Sequence, residues 1–161
     1  MKHYDVVVVG GGPAGALTAA HAARAGAKVL LLERTRRAPA RCTGLVSPRA
    51  IELLQVPKSL ILQEIRGVRV HSPEGRTLEL FAQKPKGYVI DRAALDGLLL
   101  ARAEEAGAEV RRGVAATGLT ETVLHTTAGE VGFSVLVGAD GPVSSVARWT
   151  CLLYTSPSPR D

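Results

Sequence analysis

The chain has 161 residues, 46% of them hydrophobic and 22% charged, with a formal net charge of +5; this is a globular composition, long enough for one sizeable core. No apolar run approaches the roughly 20 residues of a spanning helix, Met1-Lys2-His3 leads into a strand pattern rather than a signal peptide, and two cysteines make neither a disulfide framework nor a metal cluster. The arginines are dispersed among acids without stacking aromatics, which argues against nucleic acid. The basic balance suits an anionic cofactor, a loose peripheral association with acidic lipid at the inner face of a membrane, or a solvated exterior in a reducing cytoplasm.

The first element is the most informative. Asp5-Val6-Val7-Val8-Val9 reads as a strand buried on both faces of a parallel sheet, because it is continuously apolar rather than alternating. Gly10-Gly11-Gly12-Pro13-Ala14-Gly15 then turns the chain into an Ala-rich helix. In such a turn Gly10 permits the bend, Gly12 leaves the backbone open to a pyrophosphate, and Gly15 allows close helix–strand packing. The helix start offers unpaired N–H groups and a favourable dipole for phosphate. A second apolar strand, Lys28 to Leu32, ends at Glu33, whose carboxylate is placed to accept both ribose hydroxyls and to repel a 2′-phosphate. Strand, glycine turn, helix and acid together predict a dinucleotide cradle; a glycine turn in an ordinary βαβ unit is the structural alternative.

Arg34 to Val46, with Pro39, Gly44 and several arginines, is too polar and interrupted for a regular element and is expected to be a loop. Ser47-Pro48 starts a short helix, with Ser47 as N-cap and Pro48 at its first position. Val68 to His71 and Thr77 to Phe81 alternate around Ser72-Pro73-Glu74-Gly75, which predicts an antiparallel hairpin inserted into the α/β pattern. Gly87 to Ile90 reads as a short strand, and Asp91 caps a helix from Arg92 to Ala106 with Leu95, Leu98 and Leu99 on one face, ended by Gly107. Glu109 to Arg111 and Val114 to Ala116 return to the main sheet. A second hairpin turns at Ala128-Gly129-Glu130 into an apolar strand, Phe133 to Val137, followed by Gly138-Ala139-Asp140-Gly141-Pro142. His3, His21, His71 and His125 are scattered and read as structural.

The last eleven residues, Cys151 to Asp161, break from the Ala/Gly/Val/Arg-rich style before them and resemble one translated frame of a transposase adapter used in sequencing libraries. Residues 1–150 are therefore expected to be an incomplete dinucleotide-binding domain and 151–161 a non-native tail; a disordered Ser/Pro tail is the alternative.

Four separated pieces between residues 4 and 149 resemble flavoprotein oxidoreductases that hold FAD in a doubly wound domain. The N-terminal cradle is common to all of these; Arg41-Cys42-Thr43-Gly44-Leu45-Val46-Ser47-Pro48-Arg49 and Gly87-Tyr88-Val89-Ile90-Asp91-Arg92 look most like the geranylgeranyl reductase family, while Val137 to Pro142 with Ser144, Ala147 and Arg148 resembles the Asp-Gly signature of the wider class. The resemblance implies a Rossmann-like FAD/NAD(P)-binding α/β fold, a parallel sheet with inserted antiparallel hairpins, truncated at the C-terminus.

The resemblance also implies roles. Gly10, Gly12, Pro13, Ala14 and Gly15 would form the pyrophosphate cradle and Glu33 the ribose contact. Arg34 would cover the adenine or reach phosphate, or else be an exposed strand-end arginine. Arg92 would bring a cation to the cofactor's anionic centre, and the backbone at Ala116 would read adenine. Asp140 would orient loop donors and Gly141 permit their turn; a simple Asp-Gly turn is the bland reading. Cys42, Thr43 and Gly44 would lie near the flavin, with the Cys42 thiol shaping the substrate channel or helping to supply a proton; a plain buried cysteine is the other reading. Arg148 lies one residue further on than in the commonest class pattern.

The implied activity is reduction of isoprenoid double bonds by hydride from reduced FAD, with NAD(P)H or another donor, on a small-molecule or prenyl-lipid substrate. The alternatives are an FAD-dependent monooxygenase and a non-catalytic nucleotide-binding fragment. The residues leave the catalytic group beyond Cys42, the oligomeric state and the exact substrate open.

Overall fold

The computed structural model describes residues 1–36 and 42–152. The chain divides into two compact units, one of residues 1–38 and 96–161 and the other of residues 39–95.

The first unit is built on a six-stranded sheet, ordered β8-β2-β1-β11-β10-β9. β1 (Lys2–Val9), β2 (Val29–Glu33), β8 (Glu109–Arg112) and β11 (Gly129–Gly138) run parallel, and β9 (Ala116–Thr120) and β10 (Val123–Thr126) complete the sheet antiparallel. The apolar runs sit at its centre: Val7, Val8, Leu30 and Leu31 are fully buried, as a strand covered on both faces requires. Val7, Val9, Leu30 and Leu32 join Leu124, Phe133 and Val146 in one core cluster. Helix α1 (Pro13–Arg24) packs on β1 and β2 with Ala16, Ala19 and Ala20 buried, alanine allowing close approach.

At the far end of the strands from the cradle, the buried Tyr4 donates its hydroxyl to Glu109 Oε2 at 2.7 Å and accepts from Arg111 at 3.1 Å. Lys2 and Arg111 both pair with Glu109, and these partners hold its carboxyl down to about 2. The network ties the edge strand β8 to β1, which is not its neighbour in the sheet.

The second unit contains a three-stranded sheet, β3-β7-β4, and a separate two-stranded hairpin, β5-β6. β3 (Leu45–Val46) and β4 (Ile61–Ile65) flank β7 (Gly87–Ile90), both antiparallel to it. The hairpin of β5 (Gly67–His71) and β6 (Thr77–Phe81) turns where expected. Between β3 and β4, α2 (Pro48–Leu53) starts as the dipeptide predicts, Ser47 Oγ accepting from the Ala50 N–H at 3.2 Å. The Asp91 cap on α3 (Arg92–Glu105) is likewise present, Oδ1 accepting from the Ala94 N–H at 3.0 Å.

Several expectations need correction. Leu45–Val46, assigned to a loop, is a strand, because its backbone pairs with Val89 and Tyr88. The remainder of that loop includes Arg37 to Arg41, outside the described residues, as is the tail from Leu153. The strand expected at Val114 to Ala116 begins only at Ala116 and runs to Thr120. The strand β4 carries no period-two signal, since Ile-Leu-Gln-Glu-Ile does not alternate. On α3 the buried residues are Leu95, Leu99, Leu100 and Ala103, with Leu98 only half-buried. No helix among the described residues is long and apolar enough to cross a membrane.

Candidate functional site

The cradle lies in the first unit, where the parallel strands β1, β2 and β11 end on the same edge of the sheet and the chain order switches from one side of β1 to the other, the usual binding point of open α/β sheets. Gly10 and Gly15 cannot be replaced there without movement: a Cβ on Gly10, at φ +109°, would sit 2.2 Å from the Ala139 carbonyl oxygen, and one on Gly15 1.9 Å from the Gly10 oxygen. These contacts lock β1, the turn after β11 and the start of α1 together. The Ala139 N–H also donates to the Val9 carbonyl at 2.8 Å.

Gly12 behaves differently. Its φ of −70° suits any residue, and a Cβ would meet nothing within 4 Å. It is the N-cap of α1, with no side chain capping the helix. The first intrahelical bond runs from Ala16 N–H to Gly12 C=O, so the amides of Ala14 and Gly15 lie before the helix's own ladder begins, while Pro13 has no amide to satisfy. An open, donor-rich helix end with positive dipole fits a pyrophosphate.

Glu33 ends β2 opposite this turn. Its Oε2 accepts from Gly11 N–H at 2.8 Å, and its Oε1 accepts from Thr35 N–H at 2.8 Å and Thr35 Oγ1 at 2.6 Å. Partial burial pushes the carboxyl up, but the Thr35 and Gly11 hydrogen bonds and the nearby Arg34 charge outweigh it and hold the group below the usual carboxylate range. Three of about four acceptor sites on the carboxylate are thus engaged by the protein itself. Gly11 and Thr35 are the supports that sequence reading missed. Val114 N–H donates to the Glu33 carbonyl at 3.1 Å, which brings the segment leading into Ala116 to the end of β2. Arg34 is exposed beside Glu33.

Asp140 follows β11. Burial raises its carboxyl, and hydrogen bonds from Ser144, Val146 and Ser145 more than reverse this. Oδ1 accepts from Ser144 Oγ at 2.6 Å, and Oδ2 from the amides of Ser145 at 2.6 Å and Val146 at 3.2 Å. Asp140 therefore binds the first turn of α4 (Ser145–Trp149), and Gly141 beside it adopts φ +91° with open space around it. Arg148 donates to Ser145 Oγ at 3.0 Å.

The second unit brings together Cys42, Thr43, Gly44 and Arg92. Cys42 is exposed, against the reading of a plain buried cysteine. A hydrogen bond from the Gly44 amide, followed by the charge and hydrogen bonding of Arg92 and a contact with Thr43, holds its thiol below the ordinary cysteine value against a smaller burial penalty. Gly44, buried at φ +79°, has no room for a side chain, since a Cβ would sit 2.3 Å from the Ile90 carbonyl oxygen; its own carbonyl accepts from the Ile90 N–H at 3.0 Å. The close backbone approach at Gly44 is thus made to β7.

The fold and cradle define a class, and comparison with protein families agrees: residues 5–69 match the FAD dependent oxidoreductase family. The chain belongs to the FAD-dependent oxidoreductases. Among curated proteins it is similar to the digeranylgeranylglycerophospholipid reductase of Methanosarcina mazei, 35% identical over 91% of this chain and 40% of that protein. Among solved structures it is similar to a geranylgeranyl bacteriochlorophyll reductase-like protein of Thermoplasma acidophilum, with TM-score 0.81 and 31% identity over 93% of this chain and 42% of that one. OxyS anhydrotetracycline hydroxylase of Streptomyces rimosus gives TM-score 0.68 and 30% identity, over 91% and 33% respectively. The chain spans about 40% of the length of the first of these relatives.

Proposed function

We propose that this chain is the FAD-binding portion of a reductase that saturates isoprenoid double bonds in a prenyl lipid. The observation that carries the reading is the likeness to digeranylgeranylglycerophospholipid reductase along 91% of the chain; the open donor-rich turn at Gly12 opposite Glu33 supports the cofactor.

Gly12 to Gly15 would take the pyrophosphate, with the Ala14 and Gly15 amides as donors and Gly10 and Pro13 shaping the turn. Glu33 would take the ribose. With one acceptor site remaining, one hydroxyl binds directly and the second replaces the Thr35 hydroxyl on Oε1. The backbone at Ala116 would read adenine and Arg34 would lie over it. Asp140, by holding the start of α4, would fix the Gly141 turn beside the cofactor. In the second unit Cys42, Thr43 and Gly44 would face the flavin ring and Arg92 would balance its negative charge.

The chemistry that FAD would supply here, once reduced by NAD(P)H or another donor, is hydride for one carbon of the alkene. The other carbon needs a proton. The Gly44 amide and Arg92 make the Cys42 thiol more acidic, so it releases a proton more readily and must be reprotonated in each cycle. In a longer homologue Cys42→Ala should slow turnover while FAD stays bound; unchanged turnover would sink the proton role and leave Cys42 as a wall of the substrate channel.

Product analysis tests the reading as a whole. A hydrogenated prenyl chain supports it, whereas oxygen incorporated into substrate would assign the chain to the monooxygenases, and a colourless purified chain would leave a nucleotide-binding fragment without flavin. On the same reading residues 151–161 are foreign to the enzyme, which sequencing the source DNA across Trp149 decides.

A further inference from the structure

Arg36 is an exposed arginine to which the cofactor reading gives no role, and the fold provides it with a defined seat. Glu33 closes β2, and its carboxylate accepts from both the amide and the hydroxyl of Thr35, which fixes the course of the chain just before Arg36. On the neighbouring strand Arg112 stands opposite Glu33, and the Val114 N–H donates to the Glu33 carbonyl at 3.1 Å. Gly113 lies between these two anchors at φ +77°, where a Cβ would sit 3.0 Å from Arg36 Cγ, 3.2 Å from Nε and 3.7 Å from Cδ. The stem of Arg36 therefore runs along bare backbone at the end of β8, in space that a side chain at 113 would claim.

The neighbouring arginines of β8 are committed to acids. Arg112 donates to both carboxylate oxygens of Glu104, at 2.7 and 3.3 Å, and Arg111 pairs with Glu109. Arg36 rests on a glycine instead. A guanidinium held by its stem keeps its plane for a flat partner, and planar cations of this kind stack on π-systems.

The position selects that partner. Arg36 and Gly113 stand at the carboxyl ends of β2 and β8, on the Glu33 side of the switch point, and the segment from Gly113 runs on to Ala116, where β9 begins. Ligands of open α/β sheets gather at this edge. Glu33 would hold the ribose and the Ala116 backbone would read adenine, so the base between them comes to the Arg36 seat.

We propose that Arg36, seated on Gly113, stacks its guanidinium on the adenine of the bound dinucleotide, and that Gly113 is the positioning residue for it. The proposal rests on the FAD reading for its ligand and adds a second arginine to the base that Arg34 would cover.

The test is calorimetric titration of the 161-residue chain with ADP and, separately, with inorganic pyrophosphate, beside Arg36→Ala, Arg36→Lys, Arg36→Tyr, Gly113→Ala and the Arg36→Ala, Gly113→Ala double variant. Arg36 is exposed, so its replacement leaves the fold intact. In Arg36→Ala the ADP affinity should fall about fivefold, the worth of an exposed cation–π contact, while pyrophosphate binding stays level. Arg36→Tyr should restore ADP, because an aromatic ring stacks on a base without charge. Arg36→Lys should not, and its rescue of both ligands would assign the residue to phosphate and overturn the proposal. Unaltered ADP affinity in Arg36→Ala would overturn it as well. Gly113→Ala should weaken ADP as much as Arg36→Ala and the double variant no further, since one residue acts through the other; losses that add would refute the seat. Should Gly113→Ala lose its cooperative melt, the Tyr and Lys variants decide alone. The two readings fail separately. ADP binding that depends on Arg36 in a chain that retains no flavin refutes the FAD reading, whereas retained flavin with ADP affinity indifferent to Arg36→Ala refutes the stack. A chain that binds neither ADP nor flavin overturns both.

Discussion

Gly11 and Glu33 are held against each other: the Gly11 amide donates to Glu33 Oε2 at 2.8 Å, and a Cβ on Gly11 would lie 2.9 Å from the Glu33 Cβ. The middle glycine of the turn is therefore fixed by the acid twenty-two residues on, and the acid is oriented by the glycine. Gly11→Ala should move the Glu33 side chain and cost about 1–3 kcal/mol by overpacking. Thermal melting together with flavin retention on a desalting column checks this; a wild-type melt with full flavin retention would show that the turn absorbs the methyl group.

Thr35 Oγ1 donates to Glu33 Oε1 at 2.6 Å, the oxygen proposed above for a ribose hydroxyl. Thr35→Val removes the competing hydroxyl but keeps the amide bond, so FAD affinity should stay level or rise, whereas Glu33→Gln should lower it about tenfold, the loss of a charged hydrogen-bond acceptor. Fluorescence titration with FAD separates the two. Weaker binding in Thr35→Val would mean that the hydroxyl orients the carboxylate for ribose.

Asp140 accepts from Ser144, Ser145 and Val146, so Asp140→Ala should destabilise the first unit by about 1–2 kcal/mol, the usual cost of losing a helix cap. Its folded-state acidity lies below the ordinary 3.8. The stabilisation it gives is accordingly complete above that pH and fades as pH drops further. Urea melts of the two proteins should differ at pH 7 and converge in acid.

The Tyr4–Glu109 network makes a sharper acid prediction. Glu109 moves from 4.5 to about 2 on folding, so its contribution is fully present above about pH 4.5 and is lost as pH falls from there to 2. Glu109→Gln should be less stable than the parent chain at pH 6 and less sensitive to acid below pH 4.5. Parallel pH profiles for both proteins would show that Lys2 and Arg111 do not hold the carboxylate in solution.

Cys42 is exposed, and its thiol is made more acidic by Gly44 and Arg92. In a Cys151→Ser background, iodoacetamide should alkylate it faster at pH 7 than it alkylates a free thiol, because the thiolate is the nucleophile. Arg92→Leu should move the pH midpoint of the reaction upward. An unmoved midpoint would leave the Gly44 amide and Thr43 as the cause.

Elements whose cause is local are legible in the chain alone. Four valines fill a strand buried on both sides, a glycine turn opens a helix, Ser47 and Asp91 cap helices within three residues of themselves, and Ser72 to Gly75 turns a hairpin. Each follows from steric or hydrogen-bond demands over a few neighbouring residues. The rest depends on contacts between distant segments. Leu45–Val46 is a strand only because Tyr88 and Val89 arrive beside it, and the strand after Gly113 starts late because its partner register with β10 begins at Ala116. Gly11 and Thr35 became supports of Glu33, and Cys42 met Arg92 fifty residues away. Such pairings carry no periodicity that the chain can display, since they depend on which strand lies next to which after folding.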